Sequence, residues 1–182
     1  GMGGMGGGMG GMGGPPPPPE FPAADVKLIQ CDTCRALAKR AHFEASVLRK
    51  ATPNTPPTED ALFTLVSGMC RVDTPAGEWL TAYDMIESPK LDSVRLKRMG
   101  GAGVCGTECR TLEKACANVL EEASTDMSAA LYGNKLSRSE LVAAACGKRG
   151  ESGGWTEALD GSCAHDVPYP PGRAAGPAFE FK

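Results

Sequence analysis

The chain has 182 residues, a formal net charge of −3 at pH 7 and eight cysteines. Its length fits one domain. Acidic and basic residues alternate without a basic stripe, so we expect no nucleic-acid-binding surface. The sequence has no run of 18 or more apolar residues, so we also expect no transmembrane segment. Aromatic side chains make up only 5% of the residues, so Leu, Val, Ala and Met must fill the core.

Both ends of the chain differ in composition from the middle. Residues 1–23 consist of a Gly/Met-rich tract followed by a proline run, and neither can build a packed core. Residues 24–165 form the predicted folded domain. Residues 166–182 again contain several Pro and Gly and are predicted to be a C-terminal coil tail.

Apolar residues recur at three- and four-residue steps over residues 24–50, which predicts a long first helix. Prolines in residues 53–57 end this helix, because proline cannot continue the backbone hydrogen bonding. Thr58 and the acidic residues after it begin a short second helix, which reaches Cys70. The sequence therefore predicts two helices before residue 73.

The middle of the domain is harder to interpret. We predict irregular structure for residues 73–87 and a short amphipathic helix with a charged face for residues 90–99. The segment Gly100–Gly103 is predicted to be a hinge, because no Gly-Lys-Ser/Thr follows that would indicate a phosphate-binding loop. No segment alternates clearly between apolar and polar residues, so we expect almost no sheet.

The strongest helical pattern covers residues 108–132, where the apolar residues share one face and Gly133-Asn134 ends the helix. Ser137 begins a final short helix that reaches Cys146. The sequence therefore predicts a fold of four or five helices.

The cysteines allow three interpretations. Cys31 and Cys34 lie on one face of the first helix, and with Cys105 and Cys109 they could supply four thiolates to zinc. That arrangement would leave four other cysteines unexplained. A redox Cys-x-x-Cys motif of the thioredoxin type would follow a strand, whereas a helical pattern precedes Cys31. We therefore interpret the set as structural disulfides. Eight cysteines allow 105 pairings, so spacing alone does not fix the connectivity.

Two segments resemble the canopy family, a branch of the saposin-like proteins. The first is Cys31-Asp-Thr-Cys34-Arg-Ala-Leu, and the second is Thr111-Leu-Glu-Lys-Ala-Cys116-Ala-Asn-Val-Leu-Glu-Glu. The end of the last helix, followed by Cys163, resembles the end of that family. The similarity covers roughly residues 26–163, with a poorly matched middle. It implies an all-α, saposin-like, disulfide-stapled helical bundle of four to five helices with unstructured termini.

The same resemblance implies a pairing of six framework cysteines, from first to last. Two cysteines lie outside the framework, and we hypothesise a local fourth bridge between them, although a free or intermolecular thiol is also open. The expected pairs are Cys31–Cys163, Cys34–Cys146, Cys70–Cys116 and Cys105–Cys109.

Residues that could carry catalysis are few. The two histidines, His42 and His165, are interpreted as a surface or partly packed residue and as a member of a solvated pair. The acidic residues Glu121, Glu122 and Asp126 cluster on one predicted helix, as exposed acids commonly do. We therefore predict no catalytic residue, no metal site and no cofactor, and a protein that is not an enzyme.

Two function classes remain. Disulfides persist in oxidising compartments, so we expect the endoplasmic reticulum lumen or a secreted, extracellular location. Canopy-like proteins act there as folding cofactors or bind client receptors, which implies a protein-interaction module or an accessory subunit of a larger assembly. The alternative is a saposin-type lipid-binding or lipid-transfer protein, because such domains open and expose apolar helix faces. We therefore expect a protein partner, with lipid as the alternative ligand.

Overall fold

The computed structural model describes residues 23–88, 93–147, 156–157, 163–164 and 172–182. Four α-helices carry most of this structure, and one 3₁₀ helix and four short strands accompany them. In chain order the elements are α1 (Ala23–Ala51), α2 (Glu59–Gly68), the 3₁₀ helix (Glu78–Ala82), β1 (Tyr83–Ser88), β2 (Ser93–Arg98), α3 (Thr107–Gly133), α4 (Arg138–Cys146), β3 (Thr156–Glu157) and β4 (Cys163–Ala164).

The predicted helix boundaries agree with the local capping chemistry. Thr58 caps α2 by accepting a hydrogen bond from the backbone N–H of Ala61. Ser137 and Glu140 form a reciprocal capping box at the start of α4. Asn134 ends α3 in the left-handed conformation, with a φ of 48°. The expectation of a mostly helical, disulfide-bonded fold is confirmed.

The helices pack around one core. The long helix α1 contacts α3, α4 and strand β2, while α2 lies against α3. The apolar faces predicted for the α-helices from the three- and four-residue spacing point inward. Including Met69, Leu80 and Val94, which lie outside the α-helices, the largest fully buried side chains are Leu28, Ile29, Leu37, Leu62, Val66, Met69, Leu80, Val94, Leu112, Val119, Met127 and Leu141.

The predicted helix over residues 90–99 is wrong, and so is the expectation of almost no sheet in this region. Strands β1 and β2 form an antiparallel hairpin in which Met85 pairs with Leu96 and Glu87 with Val94. Burial decreases along β2, from the buried Ser93 and Val94 to the exposed Lys97 and Arg98, so it does not alternate. The segment is a strand because it pairs with β1, a contact that the spacing within the segment does not indicate. A second pair, β3 and β4, is also antiparallel.

Two further expectations need correction. Residues 100–103 are not a hinge, because Gly103 donates a hydrogen bond to the Thr81 carbonyl at 2.8 Å and pairs with Phe181 in an antiparallel bridge. The C-terminal segment, residues 172–182, is irregular in secondary structure but is not unstructured. It lies against the helical domain and is hydrogen-bonded to it. The expected low-complexity tail, residues 1–23, lies outside the described residues except for Ala23.

Candidate functional site

Two disulfides join distant parts of the helical domain. Cys34 on α1 is bonded to Cys146 on α4, with a Cα–Cα distance of 5.9 Å. Cys70, just after α2, is bonded to Cys116 on α3, with a Cα–Cα distance of 5.4 Å. Both bridges are buried in the core. They are the two pairs that the saposin-like framework implies for these four residues.

A third disulfide is local. Cys105 and Cys109 are four residues apart and are bonded across a Cα–Cα distance of 5.1 Å, as we hypothesised. Cys31 is disulfide-bonded as well. The side chain of Cys163 lies outside the described residues, so the Cys31–Cys163 pair remains a prediction.

The hairpin is attached to α1 by an aspartate between the first two cysteines. Both Asp32 carboxylate oxygens accept hydrogen bonds from Arg95, at 2.8 and 2.9 Å, and Oδ2 also accepts one from the Leu96 N–H at 3.1 Å. The Asp32 side chain is only 9% exposed. A two-point ion pair fixes orientation as well as distance, so Asp32 sets the angle at which β2 crosses α1.

The C-terminal segment is held to the same end of the domain by a buried arginine. Arg173 donates to both Asp25 oxygens, at 2.9 and 3.0 Å, and to Glu87 Oε1 at 2.9 Å. The side chains of Arg173 and Asp25 are 8% and 9% exposed. One guanidinium therefore joins the start of α1, the end of β1 and the C-terminal segment.

Backbone pairing holds the far end of the C-terminal segment. Val104 donates to the Glu180 carbonyl at 2.8 Å, and Lys182 donates to the Ala102 carbonyl at 3.0 Å. Phe179 lies so close to Gly103 that a Cβ atom at position 103 would be 2.6 Å from the phenyl ring. Glycine at this position therefore permits the close approach.

A cavity of about 180 Å³ lies between β1, the start of α3 and the C-terminal segment. Tyr83 and Asp84 line it from β1, Glu108 and Cys109 from α3, and Phe179 from the C-terminal segment. With Glu180, the cavity therefore combines three carboxyl groups, two aromatic rings and one end of the local disulfide. We take it as the candidate functional site.

Glu108 is the electrostatic centre of this site. Partial burial, and then hydrogen bonding to the Asp84 carboxyl group, raise its pKa from 4.5 to about 7, while the hydrogen bond from the Met85 N–H opposes the shift. That bond, to Glu108 Oε2, is 3.2 Å long, whereas the buried Oε1 accepts no hydrogen bond from a donor in the described residues. A buried carboxylate oxygen without a donor disfavours the charged form, which agrees with the direction of the pKa shift.

A second cluster of charged residues, at the loop after Cys70, has a structural role. Arg110 binds the Asp73 and Glu113 carboxylates, while Glu113 Oε1 accepts from the Val72 N–H at 2.9 Å. Hydrogen bonding to Arg110 lowers the pKa of the exposed Asp73 carboxyl group. These contacts hold the loop after Cys70 against α3 and reinforce the nearby disulfide.

The other residues weighed from the sequence do not come together. His42 is half-buried on α1, in a small recess with Arg49 and Leu131. Glu121, Glu122 and Asp126 lie on the exposed side of α3, and His165 lies outside the described residues. Within the described ranges, no three His, Cys, Asp or Glu side chains are arranged to bind a metal.

Asp84, Glu108 and Arg173 were not predicted as site residues from the sequence. Each lies in or beside a segment that was predicted to be irregular, to begin a helix or to be coil. The local signal for the hairpin beside Asp84 was the apolar pair Val94 and Leu96, which is too short to distinguish a strand from a helix.

Comparison with protein-family models, curated proteins and solved structures found no match. Among the described helices, none combines the length and apolarity needed to cross a bilayer.

Proposed function

We propose that this protein is a non-enzymatic, disulfide-rich interaction module of an oxidising compartment, either the endoplasmic reticulum lumen or the extracellular space. The main support is the placement of its disulfides. Cys34–Cys146 joins α1 to α4, and Cys70–Cys116 joins the end of α2 to α3. Such crosslinks keep a surface in one shape and so reduce the entropy lost when a partner binds. The likeness to the canopy family supports a folding cofactor or an accessory subunit.

The solvent side of α1 supplies a candidate contact surface. Phe43 and Val47, one helical turn apart, are 56% and 45% exposed. The Arg40 guanidinium lies 5.5 Å from the centre of the Phe43 ring and also forms an ion pair with Glu44. Aromatic residues and arginine are enriched in protein interfaces, where they contribute much of the binding energy. We name Arg40, Phe43 and Val47 the α1 surface.

The buried core favours protein binding over lipid handling. A saposin-type protein would have to separate its helices to offer their apolar faces to lipid. Here those faces hold side chains that are at most 1% exposed, such as Leu37 and Leu112. The core bridges join α1 to α4 and the end of α2 to α3, so lipid handling would require these two pairs of helices to separate and expose that core.

A crosslinking experiment tests the proposal. A photoreactive amino acid replaces Phe43 in the full chain, and the matched control carries it at the exposed Lys39 of the same helix. We expect a discrete protein adduct from position 43 that the Val47→Ser substitution weakens, and none from position 39. In parallel, vesicle flotation at pH 5 and pH 7 with zwitterionic and anionic lipids should leave the protein in solution. Flotation with the vesicles, or equal adducts from both positions, would contradict the proposal.

A further inference from the structure

The Cys105–Cys109 disulfide differs from the two core bridges in how little of the chain it closes. The two bonded residues are 4 positions apart, whereas the core bridges span 46 and 112 positions. In the chain-entropy description, so short a ring contributes about 2 kcal/mol, against about 4–5 kcal/mol for the longer ones. Its opening would leave both core bridges in place. The fold therefore depends on this bond least among the three.

The two cysteine residues of this bond differ in exposure. Cys105 is partly exposed and lies between the exposed residues Val104 and Gly106, while Cys109 is only 6% exposed. Thiol–disulfide exchange requires a thiolate to approach one sulfur atom while the other leaves. An external thiolate therefore reaches Cys105, and Cys109 becomes the leaving group.

The position of Cys109 stabilises it as a leaving thiolate. It lies in the first turn of α3, a helix of 27 residues, and the residue before that helix, Gly106, provides no side-chain cap. The first backbone N–H groups of the helix therefore keep their capacity to stabilise negative charge. A helix N-terminus lowers the pKa of a cysteine thiol and makes its thiolate a better leaving group.

A proton donor lies beside the leaving group. Glu108 lines the same cavity as Cys109, and its raised pKa of about 7 lets it exist in both protonation states near neutral pH. Asp84 faces it from β1, and Arg173 and Glu180 approach from the C-terminal segment. A carboxyl group with such a pKa can return a proton to a thiolate without a large energetic cost.

We propose that Cys105–Cys109 is a thiol–disulfide exchange site that transfers its disulfide to a dithiol of a partner protein. A partner thiolate attacks Cys105 Sγ, the sulfur–sulfur bond breaks, and Cys109 leaves as a thiolate. A second partner thiolate then attacks the partner's own sulfur in the mixed disulfide and releases Cys105. The partner loses two electrons and two thiol protons, and Cys105 and Cys109 become thiols.

This reaction is stoichiometric, with one disulfide passed on by each chain. It goes beyond the binding function proposed above and does not depend on it, because small thiols can be used to test it. The local ring, the unequal exposure of its two cysteine residues and the position of Cys109 on α3 carry the inference together.

The first test is graded reduction. The full-length protein is equilibrated in glutathione buffers of increasing reducing strength, alkylated and mapped by mass spectrometry. We expect Cys105 and Cys109 to be labelled at a reduced-to-oxidised glutathione ratio at least tenfold lower than any core cysteine. Simultaneous labelling of all the bridges, or earlier labelling of Cys34–Cys146, would overturn the proposal.

The second test asks which cysteine reacts first and whether the disulfide is transferred to another molecule. The Cys109→Ala variant keeps the accessible Cys105 thiol and should form a mixed disulfide with oxidised glutathione at least tenfold faster than Cys105→Ala, which keeps the buried Cys109. The wild-type protein should also oxidise a reduced peptide dithiol in a ratio of about one to one, and the Cys105→Ser/Cys109→Ser variant should not. Circular dichroism checks that each variant is folded. Equal rates for the two single variants, or no peptide oxidation by the wild type, would overturn the proposal.

Discussion

Arg173 and Asp25 form a two-point, nearly solvent-free ion pair although 148 positions separate them in the sequence. The pair holds the C-terminal segment across the start of α1. The same guanidinium also binds Glu87 of β1. Residues 177–180 of the segment line the candidate cavity, so the C-terminal segment is an integral part of the site.

Replacement of this arginine should destabilise the docked segment. In Arg173→Ala, the buried Asp25 carboxylate loses its cation, and such a loss costs about 3 kcal/mol. We expect a lower free energy of unfolding in urea and faster hydrogen exchange at the Val104 amide, which donates to the C-terminal segment. The matched control is Arg138→Ala, at an exposed position of α4. Unchanged exchange at Val104 would show that the ion pair does not hold the segment.

Glu108 should make stability depend on pH between about 4.5 and 7. Its pKa in the folded protein is raised to about 7 from 4.5, so the folded state binds a proton that the unfolded state has already released. Stability from this group is therefore greatest below pH 4.5 and is lost as pH rises to 7. Because the side chain is partly exposed, we expect a change of about 1–2 kcal/mol.

The Glu108→Gln variant is the control for that pH dependence. Glutamine keeps the shape and does not titrate, so the difference in unfolding free energy between wild type and variant should change across this pH range and level off above it. Subtraction removes the titration of other carboxyl groups, such as Asp73, whose pKa is lowered. A difference that is constant from pH 4.5 to 7 would contradict the assignment.

The Asp32 contact should contribute more to the free energy of unfolding than any exposed charged residue of the hairpin. Asp32→Ala removes both hydrogen bonds to Arg95 and leaves the Leu96 N–H without its acceptor. We expect a loss of about 2 kcal/mol in chemical denaturation. Lys97→Ala, at an exposed position on the same strand, should change stability by less than about 0.5 kcal/mol. Equal effects would mean that the ion pair does not position the hairpin.

The contribution of each disulfide to the free energy of unfolding should increase with the length of chain that it closes. Replacement of Cys34 and Cys146 by alanine should lower the free energy of unfolding by about 4–5 kcal/mol, because their bridge spans 112 positions. The same change at Cys105 and Cys109 should cost about 2 kcal/mol. Differential scanning calorimetry of the two double variants under non-reducing conditions compares them, and a reversed order would refute the chain-entropy explanation.

The helices could be predicted because their signals are local and repeat many times. Over α3, the buried apolar residues from Leu112 to Leu131 share one face, and the stop signal at Asn134 takes the expected left-handed conformation. The start of α4 at Ser137 follows from the capping box, which involves residues only three positions apart. Such short-range signals do not depend on the rest of the fold.

The hairpin could not be predicted in the same way, because its apolar pattern is short and the residue that stabilises it is distant in the sequence. Val94 and Leu96 are too few to distinguish a strand from a helix, and the acceptor that fixes Leu96 is Asp32, 64 positions earlier. The order of the C-terminal segment likewise comes from Asp25 and Gly103 rather than from its own composition. The candidate cavity is built from these two elements, so the sequence did not indicate it.

The nested order of the core bridges has a consequence for biosynthesis. Cys70 meets Cys116 only 46 positions later, whereas Cys34 must wait for Cys146. As the chain leaves the ribosome, the inner bridge can therefore close first, while the thiol of Cys34 stays open to wrong partners for longer. Early oxidation would favour a mispaired product, so correct maturation of this protein should benefit from a disulfide isomerase acting after translation.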